Sequence, residues 1–362
     1  MSNPKPLTPK EIEEATKSIF GIVQALVVKN RWDRVVARAG WTIDMVFHEG
    51  DTLGVRERAW KVFDLFCEVV DPARMVFWWG GMPVPLTSKI AQGKLEKLRH
   101  RSTEDPKARA MMFNMASGNP RPPEVWENNA QEYKFECRIG NDDDIWQHER
   151  FTDPGIGPGM SYIRIALPVS WMLSQPPERN AGWFSTRVVE LMQPYWSTAG
   201  WGIVPAVEER NIGNSGYGRQ ALYPYLQRFP GLNAIGGLNL MGQRFNHAMY
   251  SVNWLNFISD ALLDRMGGRE EVRRQVQASK YLSAGDVGNG LGIRAGDFFA
   301  LGDTERGIGL PAFGEAARLL KPIRVKESKN IFIGPPPSGG GDENEDVWRL
   351  ACDAYLSRFD LY

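Results

Sequence analysis

Glu132-Tyr133-Lys134 carries two side-chain types that a metal-dependent phosphodiesterase uses together. A carboxylate holds Mg²⁺ and an ammonium orients water, and a strand presents residues i and i+2 on one face. Glu124 and Glu127 lie upstream as further acids. The same alternation with Tyr133 and Phe135 also describes a strand face that does no chemistry. The histidines His48, His100, His148 and His247 offer less. His48-Glu49 and His148-Glu149 open like a zinc-binding helix, which needs a second His at i+4; Thr52 and Thr152 stand there instead. No Gly-Lys-Ser or Gly-Lys-Thr occurs to cradle phosphate. Gly155-Ile-Gly157-Pro-Gly159 and Gly288-Asn-Gly290-Leu-Gly292 do not run from a strand into a periodic helix, so they read as turns with positive φ. Gly213-Asn-Ser215-Gly-Tyr217 puts Tyr where a nucleophile elbow needs Gly. The sequence therefore predicts no catalytic residue, no metal site and no cofactor, with a nuclease using Glu132 and Lys134 as the alternative.

The elements that would carry these residues alternate along the chain. Thr8-Pro9-Lys10-Glu11 predicts a helix start, and the helix should run to about Asn30. Trp41 to His48 alternates as a strand, Val55 to Val70 is an amphipathic helix, and Met75 to Trp79 is a strand. A charged helix at about 88–101, a polar loop through Asn119–Pro123 and a strand at Tyr133–Ile139 follow. Tyr162–Trp171 reads as a strand broken by Pro168, Trp183–Trp196 as a helix, and Trp201–Val207 as a short strand. Residues 208–248 hold little regular structure. Asn253–Met266 shows helical spacing stopped by Gly267-Gly268, with a helix at 270–279, strand at 291–301 and a helix at 310–320 beyond. Together these predict an α+β fold of mixed sheets with packed helices, in which 41–79 and 162–207 are two diverged strand–helix–strand halves. Residues 1–333 form one α+β domain with room for two subdomains, about 1–150 and 151–333. A Pro/Gly linker at 334–341 leads to 342–362, an acidic segment and C-terminal helix whose apolar face is expected to dock on its own chain.

Composition limits the function classes. The chain has 362 residues, and its 13 Trp, 17 Phe and 10 Tyr favour a well-packed core or an adhesive surface. Lys plus Arg and Asp plus Glu balance at 43 each, so the basic surplus of a nucleic-acid binder is missing. Cys67, Cys137 and Cys352 are too scattered for a disulfide framework or a zinc site and suit a reducing compartment. The start, Met-Ser-Asn-Pro-Lys-Pro, lacks a signal-peptide core, and the most apolar run, Met75–Leu86, is broken by Gly80, Gly81, Pro83 and Pro85. A cytoplasmic protein with no membrane partner is expected.

Gly159-Met-Ser-Tyr162, Leu167-Pro168-Val-Ser-Trp171, Tyr223-Pro224, Arg228-Phe229-Pro230-Gly231-Leu232 and Val252-Asn253-Trp254-Leu255 occur in order. Leu263 with Gly267-Gly268, Ile293-Arg294-Ala295-Gly296, Leu301-Gly302-Asp303 and Leu320-Lys321-Pro322-Ile-Arg324 follow. Their order and spacing resemble the type VI secretion immunity family, the group that includes immunity proteins against VRR-Nuc effectors. The resemblance covers roughly 40–325 and is densest over 159–325. It implies an antidote that binds a cognate type VI effector toxin domain of restriction-endonuclease-like fold and covers its active site or substrate surface. It implies neither catalysis nor direct contact with nucleic acid. Trp254 and Phe229 would be core, and Gly231 and Gly296 turns. A competitor for a basic nuclease groove presents acids with aromatic anchors. Asp142, Asp143, Asp144, Trp146 and Glu149 fit best, then Glu208 and Glu209, then Asp342–Asp346. An adaptor or chaperone carrying the effector to the secretion machine is the remaining alternative.

Overall fold

Trp41, Ile43, Met45 and Phe47 alternate with Thr42, Asp44 and Val46, and this period of two builds the central strand of the molecule. The structure, a computed structural model, describes residues 9–29, 32–47, 52–78, 82–100, 111–123, 126, 129–139, 161–206, 217–234, 248–325 and 343–360. Helix α1 (Pro9–Ala25) leads into β1 (Val27–Lys29) and β2 (Val35–Phe47). Then come α2 (Leu53–Val69), β3 (Met75–Trp78), β4 (Val84–Pro85), α3 (Lys89–Arg99), β5 (Met111–Ser117), β6 (Lys134–Ile139) and β7 (Ser161–Leu167). The second half holds α4 (Val169–Ser174), α5 (Ala181–Met192), β8 (Trp196–Pro205), α6 (Tyr217–Arg228), β9 (Leu255–Ser259), α7 (Asp260–Asp264) and α8 (Arg269–Ala278). It closes with β10 (Leu282–Val287), β11 (Gly290–Ala295), α9 (Pro311–Leu319) and α10 (Glu343–Leu356).

The eleven strands make one sheet in the order β10-β11-β9-β8-β2-β7-β6-β5-β3-β4, with β1 beside the N-terminal part of β2. Every ladder between named strands is antiparallel. The α+β fold is as expected; the strands gather into a single antiparallel sheet rather than mixed sheets. Both strand–helix–strand units exist, but they share this sheet and cross it differently. The connection from β7 to β8 passes over β2 alone, whereas that from β2 to β3 passes over β7, β6 and β5.

One face of the sheet is apolar and carries α1, α2 and α5. Trp41 donates its indole N–H to Ser185 Oγ of α5 at 3.0 Å. Its ring meets Trp201, Trp254 and Phe299 edge-on, and Phe20 of α1 adds to the same cluster. Farther along, Trp60, Phe63 and Phe66 of α2 pack on Phe113 of β5 and Phe135 of β6. Each such ring pair contributes about 0.5–1.5 kcal/mol beyond its burial.

Several expectations change at element ends. Helix α1 stops at Ala25 and not near Asn30, because Val27–Lys29 pairs with β2. Pro168 ends β7 and opens α4, so the expected strand to Trp171 is half helix. Helix α5 ends at Met192, before Pro194, with Gln193 left-handed at its C-cap. Asn253–Met266 is not one helix: Leu255–Ser259 is strand β9, buried on both faces, and only Asp260–Asp264 is helical. Strands β5 and β10 and helix α6 were not foreseen. The C-terminal helix docks on its own chain, with Ala351, Cys352, Tyr355, Leu356 and Phe359 buried. Among the described residues no helix is long and apolar enough to cross a membrane.

Candidate functional site

Strand β6 sorts its side chains by parity. Phe135, Cys137 and Ile139 join the apolar face, and Lys134, Glu136 and Arg138 the other. Lys134 Nζ lies 3.3 Å from Glu136 Oε2, and both side chains are buried. Glu132 precedes the strand and is half-exposed. Its carboxylate faces Arg38 at 3.4 Å and Arg74 at 4.0 Å. The Glu132–Lys134 pair therefore does not converge as a metal-and-lysine site needs, and Glu124 and Glu127 lie outside the described residues. No cluster of three His, Cys, Asp or Glu side chains able to hold a metal occurs among the described residues.

Around Lys134 the sheet assembles something the sequence did not announce. Asn256, Thr198, Asp44, Arg164, Glu136 and Asn114 share one row across β9, β8, β2, β7, β6 and β5. All are buried. Arg164 Nε lies 3.1 Å from Asp44 Oδ1, and Arg164 also donates to the Ile203 carbonyl at 2.7 Å. Asn233 donates its amide to Asp44 Oδ2 at 3.0 Å. Glu136 accepts from the Tyr162 hydroxyl and lies 3.5 Å from Arg138. Burial pushes the Glu136 carboxyl upward in pKa. Lys134, Arg138, the Tyr162 hydroxyl and Arg164 together outweigh that push and hold it down to about 2. Each buried charge has an opposite partner, the arrangement that offsets the several kcal/mol of desolvation per ion. Glycines make room for it. A Cβ on Gly202 would sit 2.3 Å from Thr42 Oγ1, and one on Gly200 would sit 2.0 Å from Asn253 Oδ1. Chemically the row is a buried set of ion pairs and hydrogen bonds, with Arg138 at its partly exposed margin.

Of the residues proposed to bind an effector, only Glu343–Asp346 fall within the described residues. Asp142, Asp143, Asp144, Trp146, Glu149, Glu208, Glu209 and Asp342 lie outside the described residues; Glu343–Asp346 form the first turn of α10. The strands that lead to the two main clusters are described. Arg138, Tyr162 and Val46 share a row near the end of β6, where the chain departs toward Asp142–Glu149. Pro205, where β8 departs toward Glu208 and Glu209, pairs with Ala37. Nine residues of β2 separate Ala37 from Val46, about 30 Å at ordinary strand rise. The described ends of β6 and β8 thus lie at opposite ends of the sheet.

The recurring motifs of the second half hold one another in place. Arg228 grips Asp303 with two hydrogen bonds at 3.1 and 3.0 Å. The Gly231 N–H donates to the Leu301 carbonyl at 2.8 Å, and a Cβ on Gly231 would sit 2.7 Å from the Ala300 carbonyl oxygen. Gly231 lies in a turn closed by the Leu232 N–H on the Phe229 carbonyl at 3.0 Å and also serves close approach, and Gly296 adopts positive φ, +83°. Trp254 and Phe229 are buried, and the Trp254 indole donates to the Gly296 carbonyl at 3.1 Å. These contacts hold the fold together.

Comparison with known proteins follows the same division between fold and function. The chain superposes on a Pseudomonas aeruginosa T6SS protein, PA0821, with a TM-score of 0.69 and 17% identity, covering 95% of this chain and 90% of that one. That likeness is one of fold. No curated protein matches the sequence. The family described as type VI immunity for VRR-NUC matches residues 92–359, which span β5 to β11 and reach into the last turn at Phe359, and the chain belongs to that family.

Proposed function

We propose that this protein is the antidote to a cognate type VI effector with a VRR-Nuc nuclease domain, and that it acts in the cytoplasm by covering the nuclease active site or its substrate surface. The family match over residues 92–359 carries this reading. The sheet supports it: the strand pair that resembled a nuclease centre is split, with Lys134 against buried Glu136 and Glu132 against Arg38. The protein contributes binding and no bond-making step. Asp142, Asp143, Asp144, Trp146 and Glu149 are the contacts we favour, with Glu208 and Glu209 as a separate patch. Acids there would meet a basic, phosphate-binding groove, speeding encounter, and Trp146 would supply a desolvated anchor. A stable complex of this kind buries about 1,200–2,000 Å² in total.

The test is co-expression of this chain with the nuclease encoded by the neighbouring gene. Rescue of growth, co-purification of the two, and inhibition of DNA cleavage in proportion to bound antidote are expected. Growth arrest with no complex would overturn the reading. Metal-dependent cleavage by the purified antidote that disappears in Lys134→Ala would replace it with the nuclease alternative.

A further inference from the structure

The two outer edges of the sheet are finished differently. At one, β4 is two residues long and ends on Pro85, which has no N–H to offer. At the other, β10 pairs with β11 through six consecutive residue pairs without a bulge. Leu282-Ser-Ala-Gly-Asp-Val287 contains neither Pro nor Lys, the residues that usually guard an open edge. Its one charge, Asp286, is matched by Arg269 at 2.8 Å and by Arg273, both of α8. Ser283, Gly285 and Asp286 are exposed, and a Cβ on Gly285 would meet nothing within 4 Å.

One hydrogen bond fixes which way the backbone groups of β10 point. The Gly296 N–H donates to the Tyr281 carbonyl at 2.8 Å, in the register that pairs Leu282 with Ala295. Antiparallel pairs alternate, so Ser283, Gly285 and Val287 direct their N–H and C=O groups to β11. Leu282, Ala284 and Asp286 turn theirs outward. The Leu282 N–H is taken by Ser279 Oγ at 3.2 Å. The Leu282 carbonyl and both backbone groups of Ala284 and Asp286 have no hydrogen-bond partner among the described residues.

We propose that β10 is the joint of a homodimer: a second copy of this chain adds its own β10 antiparallel to this one, and the two sheets become continuous. A two-fold axis perpendicular to the sheet keeps each side chain on its own face, so even-numbered residues pair only with even-numbered ones. An axis at Ala284 sets Ala284 opposite Ala284 and Leu282 opposite Asp286. Each copy's Ala284 N–H then meets the other's Ala284 carbonyl, and each Asp286 N–H meets a Leu282 carbonyl. The donor that this register lacks is the one Ser279 already holds. An axis at Asp286 would set two carboxylates face to face and is disfavoured. Charge fits the first register as well. Arg269 and Arg273, early in α8, reach Asp286, late in β10, so the helix runs opposite to the strand. The axis at Ala284 therefore brings the acidic first turn of α8, Glu270 and Glu271, toward Lys280 of the second copy. With 43 basic and 43 acidic residues, no net charge holds the copies apart. An edge of this length, about 20 Å, makes a small interface, so the dimer should form at roughly tens of micromolar and dissociate on dilution.

Sedimentation of the purified chain tests this without the effector, so its failure leaves the antidote reading untouched. A dimer that grows in with concentration up to about 200 µM is expected. Amide exchange should slow at Ala284 and Asp286 over the same range and stay constant at Ser283 and Gly285, whose N–H groups already bond to β11. Ala284→Pro removes an outward N–H and no bond of the β10–β11 ladder. It should raise the dissociation constant at least tenfold, through loss of the paired bonds at the axis, with an unchanged circular dichroism spectrum. Ala284→Lys keeps the N–H and sets two ammonium groups across the axis; it should act likewise, and it decides the matter should the proline variant fail to fold. A chain that stays monomeric throughout would overturn the proposal. So would a dimer that neither variant weakens, since the joint would then lie on another face. Slowed exchange at Ala284 and Asp286 that appears only when the effector is added would give this edge to the effector and end the self-pairing reading.

Discussion

Glu136 and Asp44 each answer to more than one partner in the buried row. Glu136 is held at about 2 in the folded chain, well below an ordinary glutamate. A depressed carboxylate contributes stability that is present above the unfolded value near 4.5 and lost as pH falls toward 2. Urea-unfolding stability should therefore fall between about pH 5 and pH 2.5, with Glu136 responsible for about 3 kcal/mol. Glu136→Gln removes that part of the slope, and a variant with an unchanged pH profile would show that other carboxylates carry it. Arg164→Met leaves Asp44 buried without its counter-ion and should cost about 3–5 kcal/mol. Adding Asp44→Asn should recover a large share, which a double-mutant cycle by chemical denaturation measures. None of this row was legible beforehand. Thr42 and Asp44 between Trp41, Ile43 and Met45, or Arg164 between Ile163 and Ile165, alternate as a solvent-facing strand would. Burial of both faces is a property of layers and leaves no trace in a single strand's period.

At the scale of elements, the legible ones had one wet face. Helix α2 begins at the Thr52 cap and buries Val55, Ala59, Val62, Phe63 and Phe66, and α8 and α9 also fall close to where the spacing put them. Strand β9 was misread because Leu255–Ser259 is fully buried, and a short apolar run fits a helix as well as a strand. Strand β10 was missed because Ser283, Ala284, Gly285 and Asp286 have no apolar alternation, and α6 because Pro224 lies inside it. The hairpin between β10 and β11 makes a sharp prediction. A Cβ on Gly290 would sit 1.9 Å from the Ile258 carbonyl oxygen, a backbone atom that cannot swing away. Gly290→Ala should destabilise by about 1–3 kcal/mol, the usual range for overpacking, whereas Gly285→Ala, with nothing within 4 Å, should change little. Thermal unfolding of the pair separates the two.

For the whole molecule, the last described residues of β6 and of β8 lie at opposite ends of the sheet, and the cluster that follows β6 in sequence is the contact we favour. Charge reversal of Asp142, Asp143 and Asp144 to Lys should slow effector association at least tenfold and flatten its salt dependence, while Glu208→Lys with Glu209→Lys should matter less. Stopped-flow association at two ionic strengths distinguishes them, and the reverse ranking would move the contact to the other end. The strand order has a further consequence, one of timing. Strand β2 is made from residues 35–47, yet its neighbours β7 and β8 come from 161–205. On a ribosome moving at about 5–20 residues per second, β2 waits roughly 6–24 s for β7 and roughly 8–32 s for β8. Through that interval β1 covers only the start of β2, so the nascent chain offers the rest of that strand's edges to holdase chaperones, and the sheet is complete only late in synthesis.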